Sequence, residues 1–322
     1  MAAVAVLTTT LDPTANGAIL TFVTPADGGC GMKCGYCFIT QRGEVTSKQT
    51  LLPTDYVEFI HGVSKVQKVA AIALQGYEPL APTSLPWTKA ILSAGLDIGA
   101  ETGLVTNGLH LAENIEVLDR LNCGGVTVSI DADTAYEHDR LRRRRGAWEI
   151  AVNGLSVAAR DLKQAKVIAH SVLFAGHAGR LRKLPVTLAA AGVKQWAVSP
   201  LIRFRKDGAA VLHGEAEQLR RDLNCLAKAA SDAAVELLAD DEFHLLKDGI
   251  TADRLLPGVA HRTLSRPDGL LRLMPDGRCS FGLDVLKTTV CEAKPWTPGE
   301  DVQAFLGGRL ACLPSDLAPM EV

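Results

Sequence analysis

The chain has 322 residues, of which 47% are hydrophobic, so it is long enough to bury the core of an α/β barrel with an extension. Its net charge of −2 and its 5% content of aromatic residues argue against a nucleic-acid-binding surface and a polybasic membrane patch. No run of about 18 apolar residues is present, and no hydrophobic signal segment follows Met1. We therefore expect neither a nucleic acid nor a membrane as a partner, and we expect a cytoplasmic protein.

Short apolar segments alternate with amphipathic segments along most of the chain. The apolar segments, predicted as buried strands, are 18–24, 69–75, 102–106, 125–130, 166–174 and 195–199. The amphipathic segments, predicted as helices, are 55–66, 85–94, 112–122, 147–162, 181–191 and 215–238. This alternation is typical of parallel βα units. A doubly wound sheet is the alternative, and the polar motifs at the strand ends favour a curved, incomplete barrel.

The periodicity divides the chain into three parts. Residues 1–17 are predicted to form an irregular N-terminal segment, and residues 18–238 are predicted to form a partial (β/α)6 TIM-like barrel of the α/β class. Beyond residue 238 the periodicity gives way to segments rich in glycine and proline. We interpret residues 239–322 as a C-terminal cap that covers the substrate.

Three cysteines lie shortly after the first predicted strand. Cys30, Cys34 and Cys37 have the spacing C-x3-C-x2-C, and Tyr36 precedes the last of them. A 4Fe–4S cluster normally takes four cysteine thiolates. Three thiolates leave one iron open to another ligand, which turns an electron carrier into a site where chemistry can take place.

Zinc and disulfide bonds match this motif less well. A structural zinc site takes four ligands, usually as two short pairs, whereas the nearest histidine after the motif is His61. Eight cysteines in 322 residues are too few for a disulfide-rich secreted scaffold. The spacing therefore favours an iron–sulfur cluster.

Candidate site residues, most of them polar, also lie at the carboxyl ends of the other predicted strands. Catalytic groups of parallel barrels lie at the carboxyl ends of the strands, so these residues are candidates for one common site. They are Gly76 and Glu78 after the second strand, Asn107 after the third, Ser129 and Asp131 at the end of the fourth, and Ser199 at the end of the sixth.

These motifs resemble those of the radical S-adenosylmethionine (radical SAM) superfamily over about residues 18–238. The resemblance rests on the cysteine spacing, on Gly-Tyr-Glu-Pro at 76–79 and on Thr-Asn-Gly at 106–108. The family's segment is Gly-Gly-Glu-Pro, so Tyr77 is a departure that changes the turn. The resemblance implies a 4Fe–4S cluster and S-adenosylmethionine (SAM) as cofactors. It also implies reductive cleavage of SAM to a 5′-deoxyadenosyl radical, which removes hydrogen from a substrate.

The resemblance implies roles for the candidate residues of the first three strand ends. The three cysteines of the motif would be the cluster ligands, and Tyr36 beside them would contact the cofactors. Gly76 and Glu78 would hold the SAM ammonium group, through the backbone and the carboxylate. Asn107 would contact the substrate or the ribose.

Further candidates follow the fourth and sixth strands. The resemblance places Ser129, or alternatively Asp131, at the ribose hydroxyls. A guanidinium matches a carboxylate bidentately, so one arginine of the basic run after the fourth strand is expected at the SAM carboxylate, with Arg143 and Arg145 as the candidates. Ser199 is positioned for the substrate or the SAM carboxylate.

The cysteines near the C-terminus distinguish the reaction outcomes. Cys279 lies in a loop flanked by glycines, and Cys291 and Cys312 follow it. A resemblance to radical SAM epimerases of aminoglycosides implies that a lone Cys279 thiol gives a hydrogen atom to the substrate radical, and we favour this epimerisation. The alternatives are an auxiliary iron–sulfur cluster at the three cysteines, which would support oxidation or elimination, and an inert buried Cys279.

The expected substrate is a small polar metabolite of the sugar, aminoglycoside or nucleoside type, because the predicted cap contains many acidic and polar residues. Small enzymes of antibiotic pathways are the nearest resemblance within the superfamily. The expected protein partner is an external one-electron donor such as flavodoxin or ferredoxin. A non-catalytic iron–sulfur or SAM-binding protein is the alternative of another class, and motifs at four successive strand ends argue against it.

Overall fold

The computed structural model describes the chain in eight segments. The described residues are 17–24, 29–37, 51–204, 210–212, 214–240, 260–262, 270–281 and 295–310. Most of the predicted N-terminal segment lies outside them, as do Cys291 and Cys312.

Ten strands among the described residues form one open sheet. From edge to edge the order is β10 (Ala260–Arg262), β9 (Glu236–Asp240), β6 (Gln195–Pro200), β5 (Lys166–Leu173), β4 (Gly125–Ser129), β3 (Glu101–Thr106), β2 (Val69–Gly76), β1 (Ala18–Thr24), β11 (Leu270–Leu273) and β12 (Cys279–Phe281). Neighbouring strands pair in parallel, apart from β11 and β12, which are antiparallel. A separate antiparallel pair consists of β7 (Ile202–Phe204) and β8 (Ala210–Leu212).

Helices connect the successive parallel strands, as expected for βα units, and one more helix follows β12. They are α1 (Pro53–Val66), α2 (Leu85–Asp97), α3 (Ile115–Arg120), α4 (Ala135–Arg142), α5 (Ala147–Asp161), α6 (Leu184–Ala190), α7 (Ala216–Asp232) and α8 (Val302–Leu310). Single turns of 3-10 helix at Ala112–Asn114 and Ala178–Arg180 precede α3 and α6. Pro53 begins α1, where its missing N–H is not needed and its fixed φ suits the first turn.

The two sides of the sheet carry different residues. The side under the helices holds large, fully buried apolar side chains, including Phe22, Leu74, Val128 and Trp196. Successive side chains of a strand alternate between the two sides. The other side therefore carries the residues between them, including Thr21, Ala73, Thr127 and Ala197. We call these the helix-facing side and the inner side.

The predicted fold class is confirmed. The six predicted strands correspond to β1–β6, and they form an open parallel α/β sheet of the partial TIM-barrel type. The C-terminal region also contributes strands to this sheet, because β11 pairs with β1.

Two element predictions are wrong. The predicted helix over 215–238 is too long, because α7 ends at Asp232 and β9 follows and pairs with β6. Strand β9 thereby crosses the boundary that the sequence suggested at residue 238. Helix α4 was not predicted, because its run of charged residues is typical of an exposed surface. No helix of the described residues has the length and apolar character that spanning a bilayer requires.

Candidate active site

The cysteine loop (29–37) follows β1 at the carboxyl edge of the sheet. Cys30, Cys34 and Cys37 are each partly buried. The Cys37 N–H donates to the Cys34 carbonyl over 3.2 Å, which closes a turn. The Lys33 N–H donates to the carbonyl of Arg142, the last residue of α4, over 3.1 Å. Three thiols therefore lie on one short loop that is tethered to a helix.

Asn107, just beyond the end of β3, supports Cys30. Its side-chain amide donates to the Cys30 carbonyl over 2.6 Å, and the same nitrogen lies 3.3 Å from the Cys30 sulfur. Its oxygen accepts the Leu109 N–H over 2.9 Å. Because an amide has one accepting and one donating end, this turn fixes the donating end toward Cys30.

Glu78 lies behind Asn107, within the protein. Its Oε2 accepts the Asn107 backbone N–H over 2.7 Å, and its Oε1 accepts the Thr106 hydroxyl over 2.6 Å and the Leu80 N–H over 3.1 Å. Glu78 is only 1% exposed. Burial raises the pKa of this carboxyl, although the three donors oppose the rise. We call Cys30, Asn107, Thr106 and Glu78 the Cys30 side.

The predicted contact between Glu78 and the SAM ammonium group stays a prediction, although the protein already engages most of the carboxylate's accepting capacity. Three protein donors already occupy the carboxylate, and it is enclosed by the chain. Gly76, two residues earlier, has φ +123°, and a Cβ there would lie 2.9 Å from the Thr24 backbone nitrogen. Glycine at this position therefore allows the ends of β1 and β2 to approach each other.

A buried ion pair supports Cys34. Arg142 has its Nη1 3.8 Å from the Cys34 sulfur and its Nη2 2.5 Å from Asp131 Oδ2. The Tyr36 hydroxyl donates to the same Asp131 oxygen. The other Asp131 oxygen accepts the Val172 N–H over 2.8 Å. We call Cys34, Tyr36, Asp131 and Arg142 the Cys34 side.

The two charges of this pair depend on each other. Burial opposes the ionisation of Asp131, yet the Arg142 guanidinium holds the pKa of that carboxyl below its ordinary value. Burial likewise opposes the charge on Arg142, and Asp131 keeps the pKa of the guanidinium well above its ordinary value. The pair is therefore ionised, and the Arg142 Nε is a buried donor without a hydrogen-bond partner among the described residues.

Helix α4 directs Arg142 into the protein. The Thr134 hydroxyl caps the first turn, and Arg143 ends the helix in a left-handed conformation with φ 53°. His138 and Arg142 are four residues apart, so they share one face of the helix, and both are buried. The Asp131 N–H donates to His138 Nδ1 over 3.1 Å. Burial, with Arg142 nearby, lowers the pKa of His138 to about 4.

The structure buries one arginine of the basic run beside Cys34, and it also places the guanidinium of the predicted Arg143 next to Gly35 of the cysteine loop. Arg143 and Arg145, the predicted contacts of the SAM carboxylate, are exposed to solvent. Arg142 is the buried member of the run and was missed. Its spacing of four residues from His138 is the sequence signal that could have identified it.

Neutral polar side chains occupy the inner side of the next strands. Ser129 in β4 is the register neighbour of His170 in β5, and His170 Nε2 lies 2.8 Å from the Ser199 hydroxyl in β6. Burial lowers the pKa of His170 to about 4, so its ring is neutral at neutral pH. Ser129 is half-buried, whereas Ser199 is fully buried. The inner side therefore offers uncharged hydrogen-bonding groups beside the Cys34 side.

Cys279 lies on the helix-facing side. It opposes Leu273 in the β11–β12 pair and belongs to the same buried cluster as Leu273, Leu271 and Trp296. The role of Cys279 as a hydrogen donor stays a prediction, and this position in the helix-facing core does not favour it. The other two cysteines of the predicted auxiliary cluster lie outside the described residues.

The cysteine loop has the features that an iron–sulfur cluster requires. In the described part of the chain, no group of three His, Cys, Asp or Glu side chains is close enough together to hold a single metal ion. A 4Fe–4S cluster makes a different demand, because each of its irons is bound by its own thiolate. Burial raises the pKa of the Cys30 thiol to about 11, and metal coordination reverses this because a coordinating thiol is deprotonated. N–H donors face the sulfurs of Cys30 and Cys34, as is usual around thiolate ligands.

A family model matches the part of the chain that contains the candidate site. Residues 27–177 match the family model described as the Radical SAM superfamily. This range contains the cysteine loop and every residue of the Cys30 side and the Cys34 side. The match covers 151 of the 322 residues, so this part of the chain is similar to the radical SAM superfamily, and the predicted cofactors, a 4Fe–4S cluster and SAM, are those of that superfamily.

Individual relatives cover parts of the chain. The AdoMet-dependent heme synthase of Methanosarcina barkeri is 36% identical over 135 residues, which are 40% of this chain and 36% of the relative. GTP 3′,8-cyclase 1 of Mycobacterium tuberculosis is 26% identical over 143 residues, which are 43% of this chain and 39% of the relative. The matched region thus spans well under half the length of either relative. These relatives do not show the predicted closeness to aminoglycoside epimerases.

A solved structure has a similar fold over most of this chain. Streptococcus suis SuiB bound to S-adenosylmethionine superposes with a TM-score of 0.64 and covers 90% of this chain and 65% of SuiB. The sequence identity is 12%, so this likeness concerns the fold alone.

Proposed function

We propose that this chain is a radical SAM enzyme that cleaves SAM reductively and removes a hydrogen atom from a small polar substrate. The observation that carries the proposal is the construction around the cysteine loop. The sulfurs of Cys30 and Cys34 each face an N–H donor from a residue that also contacts a buried carboxylate, at the carboxyl edge of a parallel sheet. This is where parallel α/β folds place their active sites.

Different residues of the chain would hold the cluster and SAM. Cys30, Cys34 and Cys37 would hold three irons of a 4Fe–4S cluster and leave the fourth iron for SAM. Bound together, these cofactors supply a carbon radical that is able to attack an unactivated C–H bond. The protein's task is to orient SAM and to exclude water.

Arg142 is the proposed contact of the SAM carboxylate, in place of Arg143 and Arg145. Its guanidinium is held by Asp131 beside Cys34, and its buried Nε has no hydrogen-bond partner among the described residues. Asp131 is then engaged with Arg142, so the half-buried Ser129 is the proposed contact of the ribose hydroxyls.

The proposed substrate site lies on the inner side. Ser129, His170 and Ser199 offer neutral groups there, which suit a small polar metabolite. Because Cys279 packs in the helix-facing core, we do not propose that it donates hydrogen for epimerisation. In an oxidation the substrate radical would instead lose one electron, which the 4Fe–4S cluster of the cysteine loop, left oxidised by SAM cleavage, would accept. This outcome needs neither a thiol donor nor an auxiliary cluster, so we propose it ahead of epimerisation.

An external one-electron carrier such as flavodoxin or ferredoxin is the proposed protein partner. Lys33 of the cysteine loop is exposed, as are Arg143 and Arg144 beside it, and Arg144 Nη1 donates to the Gly31 carbonyl over 3.1 Å. A positive surface at this position would steer a negatively charged carrier toward the cluster.

Anaerobic iron and sulfide quantitation tests the proposal. We expect about four irons per chain in the wild type, and neither iron nor formation of 5′-deoxyadenosine in the Cys30→Ala/Cys34→Ala/Cys37→Ala variant. Cys225→Ala is the matched control, because Cys225 is an exposed cysteine in α7, and it should retain both. Retained iron and SAM cleavage in the triple variant would contradict the proposal.

A further inference from the structure

We infer that Glu78 is a positioning residue for the cluster, which acts through Asn107 on the sulfur of Cys30. The inference rests on the proposed 4Fe–4S centre and goes beyond it, because it gives Glu78 a role that does not involve contact with SAM. The chain of contacts runs from the Glu78 carboxylate to the Asn107 backbone N–H, and from the Asn107 side-chain amide to Cys30.

The first step is the fixation of Glu78 itself. Both of its oxygens accept hydrogen bonds, from Thr106, Leu80 and Asn107, over distances of 2.6 to 3.1 Å. These donors come from two strand ends, since Leu80 follows β2 whereas Thr106 and Asn107 end and follow β3. A buried carboxylate with several donors holds them in one geometry, because each lost contact leaves an unpaired polar group.

The second step is the orientation of Asn107. The Glu78 carboxylate fixes its backbone, and the Leu109 N–H fixes its side-chain oxygen. The amide nitrogen is thereby held 2.6 Å from the Cys30 carbonyl and 3.3 Å from the Cys30 sulfur. The backbone contact with Glu78 and the side-chain contact with Leu109 therefore fix the rotamer of Asn107 before any ligand binds.

The third step concerns what an N–H donor does at a cluster sulfur. Hydrogen bonds to the sulfurs are among the factors that set the reduction potential of an iron–sulfur cluster. A donor stabilises the more negative, reduced state, so it raises the potential. Loss of the Asn107 donor should make the cluster harder to reduce, and displacement of Glu78 should have the same effect through Asn107.

The experiment is a reductive titration of the reconstituted protein, followed by electron paramagnetic resonance. Asn107→Ser leaves a hydroxyl for the Leu109 N–H and is too short to reach Cys30; we expect a more negative midpoint potential than in the wild type. Glu78→Asp keeps the negative charge and withdraws the carboxylate by one methylene; we expect a smaller shift in the same direction. The double variant should have the potential of Asn107→Ser alone, because both changes act through one contact.

Thr88→Val is the matched control. The Thr88 hydroxyl is buried and donates to the Pro79 carbonyl over 2.6 Å, so it supports the same segment without contacting Asn107. Its potential should equal that of the wild type. Thr106→Val replaces Glu78→Asp if the latter does not fold, and it should shift the potential in the same direction because it removes a donor to Glu78.

The outcomes separate this inference from the proposed function. A wild-type chain that takes up no cluster contradicts the proposed function. A wild-type chain with a cluster, together with an unchanged potential in Asn107→Ser or additive shifts in the double variant, overturns the inference alone. A Glu78→Asp variant with weaker SAM binding and an unchanged potential would assign Glu78 to SAM instead.

Discussion

The Cys30 side and the Cys34 side orient N–H donors on neighbouring cysteines by different means. On the Cys30 side the donor is a neutral amide, 3.3 Å from the sulfur, and the carboxylate behind it contacts its backbone. On the Cys34 side the donor is a guanidinium, 3.8 Å from the sulfur, and the carboxylate pairs with its charge. The first arrangement buries one carboxyl group, and the second buries an ion pair.

This difference has consequences for how each side responds to change. Removal of a neutral amide leaves its partners with modest losses, because no charge is left without a counter-charge. Removal of one member of a buried ion pair strands the other, which is far more costly. Substitutions on the Cys34 side should therefore lower the free energy of unfolding more than substitutions on the Cys30 side. On the Cys30 side, substitutions should change the reduction potential of the cluster without loss of the fold.

The largest expected effect is that of Arg142→Met. The variant leaves the fully buried Asp131 without its counter-charge, and breaking a buried pair in this way typically costs about 3–5 kcal/mol. Denaturant unfolding of the cluster-free protein measures the change. The control is Asp131→Asn combined with Arg142→Met, which removes both charges and should recover much of the loss. A cost below about 1 kcal/mol, as for an exposed pair, would remove the distinction between the two sides.

The next effect is the acid sensitivity of the Cys34 side. The pKa of His138 falls from an ordinary 6.5 to about 4 in the folded protein. The unfolded chain therefore binds a proton first, and stability is lost as pH falls from 6.5 toward 4. At 1.36 kcal/mol per pKa unit, the loss approaches about 3 kcal/mol for a group this deeply buried.

Unfolding free energies measured between pH 7 and pH 4 test this contribution. His138→Gln should remove it, because glutamine can accept the Asp131 N–H and does not titrate. His170, whose pKa is also lowered to about 4, remains in the variant and supplies a second acid-sensitive contribution. On the Cys30 side the sign is opposite, since the raised pKa of Glu78 favours the folded state as pH falls. An unchanged pH profile in His138→Gln would contradict the assignment.

The sequence predicted the parts of this site that depend on local spacing. These parts are the cysteine motif, the alternation of strands and helices, and the polar residues at strand ends. Each can be predicted because the residues that define it lie within a few positions of one another. The role of Glu78 was not readable, because its partners Thr106 and Asn107 are 28 and 29 residues away. Only the pairing of β2 with β3 brings them together.

Arg142 and the C-terminal strands were missed for a similar reason. Among four consecutive arginines, the buried one is chosen by the orientation of a short helix and by Asp131, eleven residues earlier. Strands β9 and β11 are 5 and 4 residues long, and they are stabilised by pairing with β6 and β1 rather than by their own propensity. Local periodicity carries no information about such partners.

The smallest expected effect is that of Cys279→Ala, and it concerns a cysteine outside both sides of the cluster. Its register opposite Leu273 places it in the helix-facing core, where loss of the sulfur removes about one methylene's worth of buried surface, or roughly 1 kcal/mol. Formation of 5′-deoxyadenosine and of product should be unchanged, since its register opposite Leu273 places Cys279 on the side of the sheet away from the proposed substrate site. Denaturant unfolding and product analysis by mass spectrometry measure the two quantities. A variant that cleaves SAM normally but yields no product would contradict this expectation and would support Cys279 as the hydrogen donor.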